Sequence, residues 1–554
     1  MNPPEPSPSE QIRPLPRLFP TPALIIAGAA FAAVVPFFFF GIPSGHDFEI
    51  HLSSWMEVVH QWKQGILYPH WAQLAHWAYG EARFIFYPPI SWNLGALLGA
   101  VLPWKLVSGV YTWVALTASG VSMFLWARRW LDRRDAIFAA VLYAINPYYL
   151  VIVYWRSAQA ELLAGCLLPL LLLLVLRMEE DGPRAIVPLS LVLAAASLTN
   201  APAAMMIHYS FALLLLVLVI RNRNPHLLLY GAAAVILGAA LAAVYIVPAA
   251  YEEKWVNLGE VLAPGVRPQD NFLFTRTTDA DHDRFNRLIS ALATAEIVVL
   301  FLSVWLSRRN RKDQPTAWWT LTIWAAATTV VMFSITNIFW EYLPNFRYVQ
   351  FPWRWLLCLN VAVALLLTMA FPRWMTRILL YAAMVALLWN LWHHVQQPWW
   401  DNAADIEEMH DAIEDGGGYE GVDEYVPASV DAYDVNKEAQ QVTVVSGDTA
   451  RIGIDKWAAE SKILSVDVSR PEQLRLRLFT YPAWRVKVNG QPVPATTQRS
   501  TGELVFPVPA GVSKIEVTFV RTADRLAAGI ISLFALIVAV ILYLQIRKPG
   551  RLPV

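Results

Sequence analysis

The stretch Ser44-Gly-His-Asp-Phe-Glu-Ile-His-Leu52 places Asp47, Glu49, His46 and His51 directly after the first apolar run of the chain. A carboxylate held at a bilayer boundary is costly to desolvate, so proton abstraction or cation binding is the chemistry expected of Asp47. Asp47 and His51 stand four apart and share a face if the chain is helical there, with Trp55 and Val58 continuing it. Five of the 11 histidines, His46, His51, His60, His70 and His76, fall in this one segment. Histidine with carboxylate can make a metal site, although interfacial helices also collect His and Trp. Further on, Arg83 and Tyr87 in Gly80 to Pro89 could grip a phosphate or simply snorkel. Arg156 and Glu161 could form an ion pair between two spans. In Phe346-Arg-Tyr-Val-Gln-Phe-Pro-Trp-Arg-Trp355, Arg347 and Arg354 depart from the charge rule for an outside segment, which suggests an anion beside them.

The elements that must position these groups are membrane spans. The 554 residues are 56% hydrophobic and 16% charged, with 25 Trp, a composition foreign to soluble domains of this length. A net charge of zero gives no reason to expect nucleic acid. Cys166 and Cys358 each lie inside an apolar run, so no disulfide framework or thiolate metal site is available. Crossing-length runs fall near 22–42, 105–127, 135–155, 159–177, 184–200, 202–220, 226–248, 289–306, 316–336, 353–371, 374–392 and 524–546. The basic connections around Arg128 to Arg134, Arg177 with Arg184, Arg221 with Arg223, Arg308 to Lys312 and Arg373 with Arg377 then all lie in the cytoplasm, as do both termini. The apolar piece 89–103 is short for a crossing and reads as a partial helix; counting it would give 13 spans and push Arg128 to Arg134 outside. Residues 1–21 read as a Pro-rich cytoplasmic leader before an uncleaved first helix, and 547–554 as a cytoplasmic tail.

On this map the outside carries the first loop 43–88, the turn 154–161, the loop 249–288 read as a lid, the turn 337–352 and the long segment 393–523. A helix from about Asp47 to Gln64 is expected to lie along the interface. Residues 393–439 read as an irregular connector. From 440 to 523, alternating runs at 441–445, 463–468, 474–478, 484–488 and 514–519, with an Asn489-Gly490 turn, predict an antiparallel β-sandwich before the last span.

Gly45-His-Asp with His51, the Tyr-Pro-Pro of 87–89, Asn146-Pro-Tyr followed by Arg156 and Glu161, and Gln350-Phe-Pro-Trp-Arg354 together resemble the bacterial membrane proteins labelled 6-pyruvoyl-tetrahydropterin synthase-related. That label does not carry pterin chemistry. These proteins are in turn similar to the GT-C superfamily of polytopic glycosyltransferases, and Tyr481 to Gly490 is similar to the C-terminal β-domain of relatives including the YfhO-like proteins. The resemblance covers about residues 22 to 390. It implies a GT-C-like transmembrane domain over 22–392 in the bacterial plasma membrane, with its site and β-domain outside. It also implies transfer of a sugar from a polyprenyl-phosphate carrier to a glycan, lipid or protein acceptor. Asp47 would then be the catalytic base or a substrate ligand, with His46, His51, Tyr87, Glu161 and Gln350 around the substrate. Arg83, Arg156, Arg347 or Arg354 would hold the carrier phosphate. No cofactor is required by this reading; a divalent metal on Asp47, Glu49 and His51 stays open, as in the metal-dependent branch of the superfamily. The competing reading is a non-catalytic scaffold or lipid-carrier transporter whose β-domain recruits partners.

Overall fold

The computed structural model describes residues 20–308, 315–395, 399–428, 430–498 and 501–547. The leader up to residue 19, Arg309, Arg311 and Lys312 of one basic loop, and the tail beyond 547 lie outside the described residues. The chain is a polytopic helical membrane protein carrying antiparallel sheets before its last helix. Among the described residues, nine helical runs are long and apolar enough to cross a bilayer, or 11 if two bent pairs each count as one span. Two of the twelve expected runs are joined in Gln159–Thr199, one run of 41 residues. At about 1.5 Å per residue it is far too long for a single crossing, and Gly182, in the left-handed region at φ +53°, interrupts it. The bent pairs are His226–Leu241 with Ala243–Trp255, at 74°, and Trp318–Val330 with Ser334–Tyr342, at 94°.

Pro89–Gly99 is a helix of 11 residues, about 16 Å at the standard rise, and does not reach across hydrocarbon. The Phe48–Lys63 helix forms close to where the spacing places it, but it does not lie along an interface. Phe48, Leu52, Trp55, Met56 and Val58 are buried on one side, and Ser53, Ser54, Glu57 and Gln61 are buried as well. Its polar face turns into protein, toward the second half of the first loop, rather than toward water.

Two further short strands pair, Ile42–Pro43 (β1) with Trp400–Asp401 (β2). They bring residues 400 onward beside the first loop, and so the segment 393–439 is no irregular connector. It contains a helix, Ala403–Glu414, whose N-terminus is closed by a capping box between Asn402 and Asp405. The domain before the last helix is built from Val442–Val444 (β3), Arg451–Ala458 (β4), Ser461–Val468 (β5), Glu472–Phe479 (β6), Trp484–Val488 (β7), Gln491–Val493 (β8), Thr496–Thr497 (β9), Glu503–Val508 (β10) and Gly511–Phe519 (β11). Sheets β3-β6-β10-β9 and β4-β5-β11-β7-β8 are antiparallel throughout. Alternate residues such as Leu464, Val466, Leu474, Leu476, Val486, Phe506, Ile515 and Val517 are buried in a common core. Asn489 and Gly490 both take positive φ, 52° and 77°, and turn β7 into β8, as a two-residue primed hairpin requires. Trp71, Tyr79, Ile85 and Phe86 of the first loop belong to this same core.

Candidate functional site

The long run Arg133–Arg156 ends in a π-helical turn, Ile152–Arg156, and Ser157 at φ 51° closes it in the left-handed conformation. Such turns widen a helix and recur where a side chain has to be re-aimed. Gly45 sits against this turn: a Cβ there would lie 2.2 Å from the Trp155 carbonyl oxygen. The Gly45 amide donates to Ser157 Oγ at 2.9 Å, Ser157 Oγ donates to the Pro43 carbonyl at 2.7 Å, and the Asp47 amide donates to the Arg156 carbonyl at 2.9 Å. The loop carrying His46 and Asp47 is thereby fixed to the end of a span. Gly45→Ala is expected to force that contact apart and lower stability by about 1–3 kcal/mol. A thermal melt of the purified protein checks it, and a midpoint equal to wild type would count against the contact.

Asp47 is the N-cap of the Phe48–Lys63 helix, yet its side chain makes no capping hydrogen bond. Its carboxylate is 38% exposed and lies 3.8 Å from Arg156 Nη2. Behind it lies a buried, hydrogen-bonded cluster. Glu161 Oε2 receives Arg156 Nη1 at 2.7 Å and Arg354 Nε at 3.1 Å, and its Oε1 receives the Tyr148 hydroxyl at 2.7 Å. Arg354 Nη1 donates to the Val349 carbonyl at 2.8 Å and to Gln350 Oε1 at 2.9 Å, while Gln350 Nε2 reaches the Val261 carbonyl at 2.8 Å. The Arg156 guanidinium lies 5.0 Å from the Trp353 ring centroid, and that of Arg354 lies 4.5 Å from Phe351. Two cations and two carboxylates, Asp47 and Glu161, thus form one cluster; Asp47 is its accessible member. Placing an arginine at the end of one helix and an acid in the first turn of the next also suits both helix dipoles.

The other expected residues divide around this cluster. His46 is exposed and faces Phe285. His51 follows Asp47 by one turn and is buried, its ring 6.0 Å from Trp55 and 5.9 Å from Tyr87, and its Nε2 has no partner. Burial pushes the imidazole down to about 4, against a favourable pull from Asp47. The folded state therefore resists protonation, so the neutral ring's contribution to stability is complete above pH 6.5 and is lost as the pH falls from there toward 4. The loss attributable to His51 is at most about 3 kcal/mol. Melting wild type and His51→Phe across that window is expected to show a steeper acid decline in wild type; parallel curves would refute it. Arg347 is exposed beside Tyr348, on the same segment as Arg354.

Arg83 belongs to a second cluster. Its Nε donates to Glu81 Oε1 at 2.5 Å and its Nη1 to Ser54 Oγ at 2.9 Å. Glu81 Oε2 lies 2.9 Å from His76 Nε2 and accepts the Val422 amide at 2.8 Å. Glu57, also fully buried, accepts the Tyr419 hydroxyl at 2.5 Å, the Leu74 amide at 3.1 Å and Gln61 Nε2 at 3.2 Å; burial nevertheless pushes its carboxyl up to about 7. This network ties the first loop to residues 419–422, and the guanidinium expected at the surface is enclosed by it. Glu49 does not join Asp47 and His51, since its acidic neighbours are Asp401 and Glu420. Two residues apart on a helix, Asp47 and Glu49 point to different sides. Among the described residues, no three His, Cys, Asp or Glu side chains gather as metal ligands. Sequence reasoning missed Tyr148, Ser157 and Trp353. Tyr148 lay inside the quoted Asn146-Pro-Tyr run, but only the fold shows what its hydroxyl meets.

No curated protein sequence matches the chain. Among solved structures, ArnT from Cupriavidus metallidurans bound to undecaprenyl phosphate is similar at 14% identity and a TM-score of 0.44, over 66% of this chain and 63% of its own. The Archaeoglobus fulgidus oligosaccharyltransferase in its apo form is similar at 15% identity and a TM-score of 0.41, over 73% of this chain and 56% of its own. The oligosaccharyltransferase AglB of the same archaeon, in complex with an inhibitory peptide and a dolichol-phosphate, gives 15%, 0.40, 72% and 56% in the same order. The chain thus spans less than two thirds of the length of each of these structures. A family description does match, over residues 84–396, more than half of the 554 residues and including Arg156, Glu161 and Arg354. The chain belongs to the family of membrane proteins described as 6-pyruvoyl-tetrahydropterin synthase related.

Proposed function

We propose that the protein is a membrane glycosyltransferase of the bacterial plasma membrane, acting on its outer face with both termini in the cytoplasm. The observation that carries this reading is the accessible, uncapped Asp47 carboxylate backed by the buried Arg156–Glu161–Arg354 cluster. Asp47 takes the proton of an acceptor hydroxyl; the oxygen forms a bond to the anomeric carbon of the donor sugar, and the bond from that carbon to the carrier phosphate breaks, with inversion. The departing polyprenyl phosphate meets Arg156 and Arg354, whose orientation Glu161, Gln350 and the rings of Phe351 and Trp353 already fix. Cations set before the charge develops, in a dry surrounding, stabilise it more than mobile ones do. Glycan, lipid or protein acceptors all offer the hydroxyl required.

An apolar cavity of about 460 Å³ adjoins this loop, lined by Phe37 to Phe40, Val110 and Trp113, with Lys105 at its rim. Gly41 and Ile42 line it and lead straight into the Gly45 turn, which suits a carrier tail entering from the bilayer. The test is transfer by the purified full chain from a labelled polyprenyl-phosphate-linked sugar to added envelope acceptors, with and without chelator. Product with an inverted anomeric centre is expected. Its absence across a panel of donor sugars would return the family to the scaffold or transporter reading.

A further inference from the structure

The β-domain opens where the chain crosses from β8, the edge of one sheet, to β9, the edge of the other, and a cavity of about 560 Å³ lies there. Small-molecule sites usually occupy about 300–1,000 Å³. Val486, Val493 and Leu504 line the apolar part of this one, and Trp255, Tyr481 and Trp484 bring rings to it. Trp255 arrives from another region of the chain, just after the Ala243–Glu252 helix, and its carbonyl accepts the Ala428 amide at 2.9 Å. Its half-buried ring meets that of Tyr481 edge-on, with centroids 5.6 Å apart and planes at 88°.

Two polar atoms of the residues around this cavity are left over. Trp484 is 4% exposed and its Nε1 is buried without a hydrogen-bond partner, and Thr480 Oγ1 is buried and unpartnered too. Both residues line the cavity. A buried polar atom without a partner is costly and calls for one. The indole N–H can only donate, whereas the threonine hydroxyl can donate and accept. An acyl chain would leave both atoms unpaired. An extended peptide would need a free sheet edge to pair with, but β8 is three residues long and contains Pro492, β9 is two, and Pro494 stands between them. Charge does not select the occupant either. The cations of the rim, Lys254 and Arg485, are exposed, as is Glu253 beside Lys254 in the chain, so an anion there would gain little.

We propose that this cavity binds an uncharged pyranose unit of a glycan. A sugar hydroxyl accepts from Trp484 Nε1, a second one pairs with Thr480 Oγ1, and a C–H face of the ring lies against Trp255. Hydroxyls that both donate and accept, carried on a ring with apolar faces, match a cavity that combines unpaired polar atoms with aromatic and aliphatic walls. Arg485, whose Nη1 is tied to the Pro482 and Trp484 carbonyls at 2.6 and 3.0 Å, holds a fixed guanidinium at the rim for further hydroxyls of the chain. This inference does not rest on the transferase reading, and the cavity shares no residue with the Asp47 cluster.

The experiment is saturation-transfer NMR of the full chain in phosphatidylcholine nanodiscs, free of glycoside detergent, titrated with maltose, cellobiose and N,N′-diacetylchitobiose. At least one of these disaccharides is expected to bind, with saturation reaching its ring C–H protons. Trp484→Phe keeps a ring and removes the N–H, and is expected to weaken that binding about 3–10-fold, the loss of one hydrogen bond. Ala495→Leu narrows the cavity from an exposed position and touches neither polar atom, so it is expected to weaken binding with the melting midpoint unchanged. Absence of saturation in all the disaccharides, or affinity unchanged in both variants, overturns the proposal. So does tighter binding of glucose 6-phosphate than of glucose, which would hand the cavity to anions, or loss of binding in Asp47→Asn, which would move the sugar to the other site. No sugar donor is present in the titration, so a failure here leaves the transferase reading where it stands.

Discussion

Asp47→Asn is expected to lower the rate of sugar transfer by about 10²–10⁴-fold, the usual contribution of a positioned general base, while leaving the melting temperature close to that of wild type. The structural half follows from what Asp47 does not do. Its side chain caps nothing, is 38% exposed, and lies 3.8 Å from Arg156, a distance at which a partly solvated ion pair contributes at most about 1 kcal/mol. The loop is held by backbone and by Ser157, neither of which an amide at position 47 disturbs. The chemical half follows because Asn cannot accept a proton at working pH. Assays at saturating donor separate the two: kcat falls while binding of the carrier persists. If transfer by Asp47→Asn equals wild type, the base lies elsewhere, and Asp47 is reduced to a companion of Arg156.

How far the site could be foreseen depended on the sequence distance between partners. Asp47 and His51 share a helix, and their relation was legible from spacing alone. Arg156 and Glu161 stand five apart, and the pairing considered for them is present at 2.7 Å. That Arg354, 193 positions later, completes the same carboxylate could be suggested only by the misplaced positive charge of its segment. Arg83 shows the opposite failure. Its segment looks like a surface grip for an anion, but the Val422 amide and Tyr419 hydroxyl, more than 330 residues away, come back to enclose Glu81 and Glu57 beside it. Hydropathy reported those residues as part of a polar connector, since a short chain that packs through glycine and backbone amides has no apolar period. Gly418 and Gly421 pack against Ala78 and His76 so closely that a Cβ would overlap either, and no pattern of the sequence announces this. The strands before the last helix were visible where apolar residues alternate, as in β5 and β6, and invisible in β4, whose mostly exposed residues lack that alternation. The final helix was legible from its apolar run of 23 residues alone.

Glu161→Ala is expected to prevent accumulation of folded protein rather than merely slow a reaction. The carboxylate is buried and is the direct ion-pair partner of both Arg156 and Arg354. Removing one member of a buried ion pair strands the other's charge, which typically costs about 3–5 kcal/mol; here two guanidinium groups and the Tyr148 hydroxyl lose their acceptor together. Asp47 cannot substitute, since it stands 3.8 Å from Arg156 and on the solvent side of the cluster. Against a total stability of about 5–15 kcal/mol, such a loss should appear as low yield and a sharply lowered midpoint in fluorescence-detected size-exclusion melts. Glu161→Gln, which keeps an oxygen for Tyr148 but no charge, should fall between Ala and wild type. Pairing Glu161→Gln with Arg354→Met should recover part of the loss, because the second change removes one of the stranded cations and replaces it with an apolar chain of similar length. Additive losses in that double variant would mean that Arg354 and Glu161 act independently, and the cluster would then be a set of neighbours instead of one electrostatic unit.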